Sequence, residues 1–258
     1  MDKVAVFIFG SIVGSFLNVC IYRLPKERSI IVPGSYCPNC TVAIHWYDNI
    51  PILSYIFLGG RARCCKARIS FRYFIVEALT ASAFLVLFSA FGVTPKFFAY
   101  AVMASGLIIA TFVDFEIQEI PDEVSIGGLA AGLILVIAFP SILNETTRLN
   151  GFLNSFSGAL IGGGMIYAMG MLGEFTFKRE AMGGGDVKLL AMIGAFIGWK
   201  FTLLTFFLAP VFGSVVGIIM KVRYGKDIIP YGPYLSLASL VSIFFGNKII
   251  HLLFYGMF

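Results

Sequence analysis

Long, continuous apolar runs constrain this chain more than any other feature. Val4 to Tyr22 is one such run, and comparable stretches recur from Tyr73 to the carboxyl end. A helix that crosses a bilayer needs roughly 20 mostly apolar residues. Inside hydrocarbon every backbone N–H and C=O must be paired within the protein, so only helices and closed barrels can span it. A barrel strand alternates apolar and polar residues, whereas the runs here are apolar throughout. Composition agrees: 59% of the 258 residues are hydrophobic and 13% charged, against about half and about a quarter in soluble domains. The expectation is an all-α polytopic membrane protein of about eight transmembrane helices. They are placed at 4–22, 73–92, 97–114, 123–140, 152–173, 182–199, 201–220 and 232–255.

The first run lacks a basic flank and a small-residue cleavage site, so it reads as a retained helix. Three regions follow from this: a first transmembrane helix over 1–22, a cytoplasmic loop domain over 23–72, and a transmembrane domain over 73–258. The loop between helices 1 and 2 carries eight of the 19 Lys and Arg residues: Arg23, Lys26, Arg28, Arg61, Arg63, Lys66, Arg68 and Arg72. Basic loops stay on the cytoplasmic side, which puts the amino terminus outside. By alternation Lys178, Arg179, Lys221, Arg223 and Lys226 are also cytoplasmic, while Lys3, Lys96, Arg148, Lys200 and Lys248 lie outside. Membrane orientation thus accounts for the net charge of +5; lipid is the expected partner, and nucleic acid is not.

Within this topology two acidic segments reach the same membrane face. One is Asp114-Phe115-Glu116-Ile117-Gln118-Glu119-Ile120-Pro121-Asp122, at the inner end of the third helix. The other is Gly183-Gly184-Gly185-Asp186-Val187-Lys188, at the inner start of the sixth. Ionisable residues in membrane segments are costly and usually face a cavity or a partner. Glycines before Asp186 remove bulk, so an extended peptide could approach its carboxylate. Two carboxylates at one site tend to share a single proton, because adjacent like charges repel. One can then take a proton from water while the other donates to a peptide carbonyl, which is aspartic-protease chemistry. The residues alone leave other readings open. Asp122 suits a helix start, Glu116 and Glu119 suit a solvated loop, and intramembrane acids also build cation pathways in transporters.

At these residues the chain resembles the type IV prepilin peptidases, GxGD membrane aspartic proteases. Gly183-Gly184-Gly185-Asp186 matches their GxGD motif, and Asp114 opens their D-x(5)-I-P-D pattern, which Ile120-Pro121-Asp122 completes. Gly14-Ser15-Phe16-Leu17-Asn18-Val19, Tyr22-Arg23-Leu24-Pro25, Trp46-Tyr47-Asp48-Asn49-Ile50-Pro51, and Ile69-Ser70 with Glu77 extend the likeness over nearly the whole chain. The resemblance implies a membrane-embedded endopeptidase of the bacterial inner membrane. It would remove the basic leader of type IV prepilins or type II secretion pseudopilins at the cytoplasmic face. It also implies N-methylation of the new amino terminus with S-adenosylmethionine, although no G-x-G-x-x-G stands between a strand and a helix. The catalytic pair carries over to Asp114 and Asp186. Gly183, Gly185, Lys188 and Glu77 are candidate substrate-binding residues, Glu77 toward a basic leader.

Cys37-Pro38-Asn39-Cys40 is followed about 25 residues later by Cys64-Cys65. Paired cysteines at such spacing commonly hold zinc, and a reducing cytoplasm disfavours a disulfide. The resembling family has a second CxxC here; in this chain Ala62 stands where its first cysteine belongs. Adjacent cysteines point different ways along most backbones, so Cys37, Cys40 and Cys65 are the better zinc ligands and Cys64 the weaker. His45 is an alternative fourth ligand.

Overall fold

The computed structural model describes residues 2–178, 182–224 and 230–255. Arg179 and Lys226, two of the expected cytoplasmic basic residues, lie outside the described residues. The helices are α1 (Lys3–Arg23), α2 (Leu53–Phe57), α3 (Phe71–Phe91), α4 (Pro95–Ile117), α5 (Asp122–Ala138), α6 (Arg148–Phe177), α7 (Gly184–Tyr224) and α8 (Gly232–Tyr255). No strand forms among the described residues; two isolated β-bridges lie in the loop after α1. Six helices, α1, α3, α4, α6, α7 and α8, are long and apolar enough to cross a membrane. The polytopic helical expectation therefore holds. The counts differ because α5 has only 17 residues, and because the sixth and seventh expected helices run together as α7.

At 1.5 Å per residue, the 41 residues of α7 would extend about 60 Å, about twice the hydrocarbon thickness. The helix is broken at Gly198, whose φ of 73° and ψ of 170° are open only to glycine. Asn154 of α6 satisfies the break: its side-chain oxygen accepts the Trp199 N–H at 3.3 Å. Its amide nitrogen donates to Glu145 at 3.0 Å. The break falls next to the boundary expected between 182–199 and 201–220.

By contacts the chain divides into two compact units, Met1–Ile109 and Ala110–Phe258, with α4 running through the division. In the first unit α1 packs on α3, and at Gly10 and Gly14 there is no room for a side chain between them. A methyl on Gly10 would lie 2.8 Å from the Ala81 Cα, and one on Gly14 would lie 2.7 Å from the Glu77 Cα. Asn18 does not end α1; its amide donates to the Tyr73 carbonyl at 3.0 Å, tying the two helices together. Arg23, at the end of α1, is 5% exposed and donates to the Ser29 and Gly34 carbonyls, folding the following loop back on the helix.

In the second unit α7 packs against α5, α6 and α8. Its first half is buried on nearly every side through Leu189, Leu190, Met192, Ile193, Ala195, Phe196 and Ile197. In lipid, helices associate by close packing and polar contacts rather than by hydrophobic burial. Both devices operate here. Gly158 of α6 meets the Gly194 backbone of α7, and Gly162 meets the Leu190 carbonyl. Ser155 donates to the Ala195 carbonyl, and Thr205 of α7 donates to Ser242 of α8 at 2.9 Å. Of the 162–164 glycine run, Gly164 faces open space. Gly158→Ala should therefore destabilise the protein by about 1–3 kcal/mol, while Gly164→Ala on the same helix should stay within about 0.5 kcal/mol of wild type. Equilibrium unfolding in detergent checks this; equal effects at the two sites would rule out the Gly158 contact as the cause.

Candidate active site

The end of α4 and the starts of α7 and α8 build one polar site. The α4 helix runs three residues beyond Asp114 and stops where Gln118 turns left-handed at φ 57°. Gln118 donates its N–H back to the Asp114 carbonyl at 3.0 Å. This places Asp114 in the last turn, where it is only 5% exposed. Its Oδ2 accepts the backbone N–H of Gly232, the first residue of α8, at 2.9 Å. A helix start offers free N–H groups and a positive dipole end, both favourable to a carboxylate. Gly232 leaves room for that approach, since a methyl there would lie 2.8 Å from Asp114 Oδ2.

Asp186 sits in the first turn of α7, half-buried, its backbone N–H donating to the Gly183 carbonyl at 3.1 Å. Its carboxylate lies near enough to Asp114 for the two charges to repel. The two acids singled out in the sequence thus converge. Ile120 is the wedge between their supports. A methyl on Gly185 would come 3.1 Å from Ile120 Cβ, and one on Gly232 would come 3.4 Å from Ile120 Cδ1. The second glycine of the GxGD motif is therefore needed for α7 to start against the isoleucine of the D-x(5)-I-P-D motif. None of Gly183, Gly184 and Gly185 takes a positive φ, so their role here is the removal of bulk, not an unusual backbone angle.

The remaining candidates have separate partners. Lys188 lies 2.6 Å from Asp122, in an exposed ion pair that links the first turns of α5 and α7. Asp122 is then a first-turn acid paired to a cation, with Pro121 in the capping position. Glu116 and Glu119 are exposed. Glu77, in the first unit, is 8% exposed; it accepts the Ile52 N–H at 2.7 Å and the Ser15 hydroxyl. Ile52 has a φ of 65°, a strained conformation for a β-branched residue. Glu77 anchors that strained turn.

Sequence reasoning missed Tyr231 and Gly232. The signal was present as Pro230-Tyr231-Gly232-Pro233 ahead of an apolar run. Nothing local says that such a turn meets a distant acid. Tyr231 is half-buried overall, and its hydroxyl oxygen is fully buried without a hydrogen-bond partner among the described residues.

The cysteine loop forms a second cluster. Two similar turns are closed by the bridges Tyr36–Ala43 and Arg61–Arg68. In the first, Cys37 donates to the Val42 carbonyl and Thr41 to the Cys37 carbonyl; in the second, Ala62 donates to Ala67 and Lys66 to Ala62. Thr41 and Lys66 are left-handed at φ 59° and 58°. The matching bonds put Ala62 in the place of Cys37, and Cys65 in that of Cys40. Cys64 occupies the place of Asn39, yet its sulfur joins the cluster, 3.3 Å from Cys40. All four sulfurs lie within 4.8 Å of one another, with Cys37 and Cys65 at 3.7 Å. Cys64 is thus no weaker a member by position, because a tight turn lets neighbouring side chains converge. His45 is not among them; it stacks on Tyr47 at 5.2 Å. Burial opposes ionisation of Cys37, but the N–H groups of Asn39 and Cys40 and the adjacent sulfurs outweigh it and hold the thiol down to about 7.

A multi-pass helical protein with two acids close enough to interact at the ends of membrane segments defines the class. Comparison with known proteins gives the family. Residues 8–91 match the Bacterial Peptidase A24 N-terminal domain and residues 101–218 the Type IV leader peptidase family. A prepilin leader peptidase/N-methyltransferase of Myxococcus xanthus is 38% identical over 86% of this chain, which covers 64% of that protein's length. One of Pseudomonas aeruginosa is 33% identical over 94% of this chain and 90% of its own. A type 4 prepilin-like proteins leader peptide-processing enzyme of Escherichia coli is 33% identical over 91% of both chains. No solved structure matches. The chain belongs to the type IV leader peptidase family, and nothing in these comparisons supports the ion-transporter reading.

Proposed function

We propose that the protein is a membrane aspartic endopeptidase that removes the leader of prepilins or type II secretion pseudopilins. It would then N-methylate the exposed amino terminus. The convergence of Asp114 and Asp186 carries the reading. The pair shares one proton. The ionised member draws a proton from a water held between the acids, and that water adds to the scissile carbonyl carbon. The protonated member donates to the carbonyl oxygen. Collapse of the tetrahedral species breaks the C–N bond and returns a proton to the leaving amine. No covalent intermediate forms. Lys188, Gly183 and Gly185 border this site, where they would receive the peptide, and Glu77 would reach a basic leader only by giving up the Ile52 turn.

The basic loop 23–72 supports an orientation with the amino terminus outside and the acids facing the cytoplasm of a bacterial inner membrane, within lipid and without nucleic acid. That loop would act as one domain and 73–258 as the peptidase. S-adenosylmethionine would supply the methyl group, as the relatives' names suggest. The described residues form no glycine-rich strand-to-helix loop, so the chain would hold that donor in another arrangement.

The cysteine cluster suits zinc. A tetrahedral site with Zn–S bonds of about 2.3 Å has sulfur–sulfur edges of about 3.8 Å, close to the 3.7 Å and 3.3 Å separations present. Cys37, Cys40, Cys64 and Cys65 would close the coordination shell, making the ion structural and the loop dependent on it.

Three measurements test this. Asp114→Asn and Asp186→Asn should each abolish cleavage of a prepilin-like peptide while the protein still inserts; cleavage near the wild-type rate by either would sink the diacid assignment. With S-adenosylmethionine added, the wild-type product should gain the mass of one methyl group at its new amino terminus, and an unmethylated product would leave a peptidase alone. Native mass spectrometry should find about one zinc per chain, and its absence would mean that the loop folds by packing.

A further inference from the structure

The Tyr231 hydroxyl has no role in the scheme above. It is nevertheless an unusual group: a buried phenol oxygen with no hydrogen-bond partner among the described residues. Leaving a buried donor unpaired costs about 1–3 kcal/mol, and native structures rarely accept that without a reason. The hydroxyl's position supplies one. Tyr231 immediately precedes Gly232, whose N–H holds Asp114, and its hydroxyl lies within range of the Asp186 charge. Two consecutive residues at the start of α8 thus attend to both acids. One already has its acceptor, and the other does not. Pro230 and Pro233 flank the pair and restrict the turn's backbone. Burial first, and the Asp186 charge second, push the Tyr231 hydroxyl up to about 12. It therefore stays protonated at neutral pH and remains a donor.

We propose that the Tyr231 hydroxyl is a further catalytic donor of this site, binding the carbonyl oxygen of the scissile peptide as that oxygen gains charge. The inference rests on the diacid reading. The phenol makes and breaks no covalent bond; it keeps its proton throughout and donates a hydrogen bond beside the one from the protonated aspartic acid. A preplaced donor needs no reorganisation as charge develops, which is where such groups act most strongly. The scissile carbonyl oxygen, arriving with the substrate, would be the acceptor for this hydroxyl.

Tyr231→Phe removes only the oxygen. In the full-length protein in detergent or lipid, with a prepilin-like peptide, it should lower kcat about 10- to 100-fold and leave KM nearly unchanged. Loss of an unpaired buried group should leave the thermal unfolding midpoint unchanged or raise it. A structural hydroxyl would instead lower the midpoint. A fall in kcat of less than tenfold overturns the proposal, and so does a lowered midpoint. The acid variants separate the two readings. If Asp114→Asn and Asp186→Asn lose cleavage while Tyr231→Phe retains it, the tyrosine assignment alone fails. If the acid variants cut at the wild-type rate, both readings fall.

Discussion

The hydrogen bond from the Gly232 N–H to Asp114 joins the last turn of α4 to the first residue of α8. A carboxylate this buried at the end of a membrane segment is costly unless it is paired. The free N–H of a helix start meets that need without introducing a cation, which would neutralise the acid permanently. Much of the site depends on this contact. It requires glycine at 232 and ties the start of α8 to the last turn of α4. Ile120 then packs against both Gly232 and Gly185, so the starts of α7 and α8 lie against the same side chain.

The same economy shapes the packing around α7. Close helix contacts replace hydrophobic burial, which has little force between helices in lipid. Gly158 and Gly162 let α6 lie against the α7 backbone, and serine and threonine hydroxyls bond across helices where backbones approach. The one broken turn, at Gly198, has its exposed N–H taken by Asn154. Among the described residues the Tyr231 hydroxyl and the Asn18 side-chain oxygen are buried polar atoms without a hydrogen-bond partner, and of the two only Tyr231 adjoins the site.

In the cysteine loop, geometry restores what the spacing lacks. Ala62 occupies the place of a cysteine, yet the four sulfurs still gather because Cys64 turns into the cluster from the neighbouring position. The two turns share a hydrogen-bond pattern while differing in which residue carries the sulfur. A CxxC spacing is thus one way, not the only way, to bring two thiols to one point.

The helical class, most helix boundaries and the two acids were legible in the sequence. Apolar runs of membrane length admit little but helices, and charges inside such runs are too costly to be incidental. The resemblance selected Asp114 from its acidic neighbours, a choice that charge and spacing left open. Only the tertiary structure decided that the two carboxylates lie close enough to interact, that Lys188 pairs with Asp122, and that Glu77 holds the Ile52 turn. It alone showed that Gly232 holds Asp114. Asp114 and Gly232 are 118 residues apart, and local pattern records a residue's fit to its own helix. Whom it meets depends on how distant helices pack, and here that packing is set by glycines whose significance is visible only from the other side of the contact.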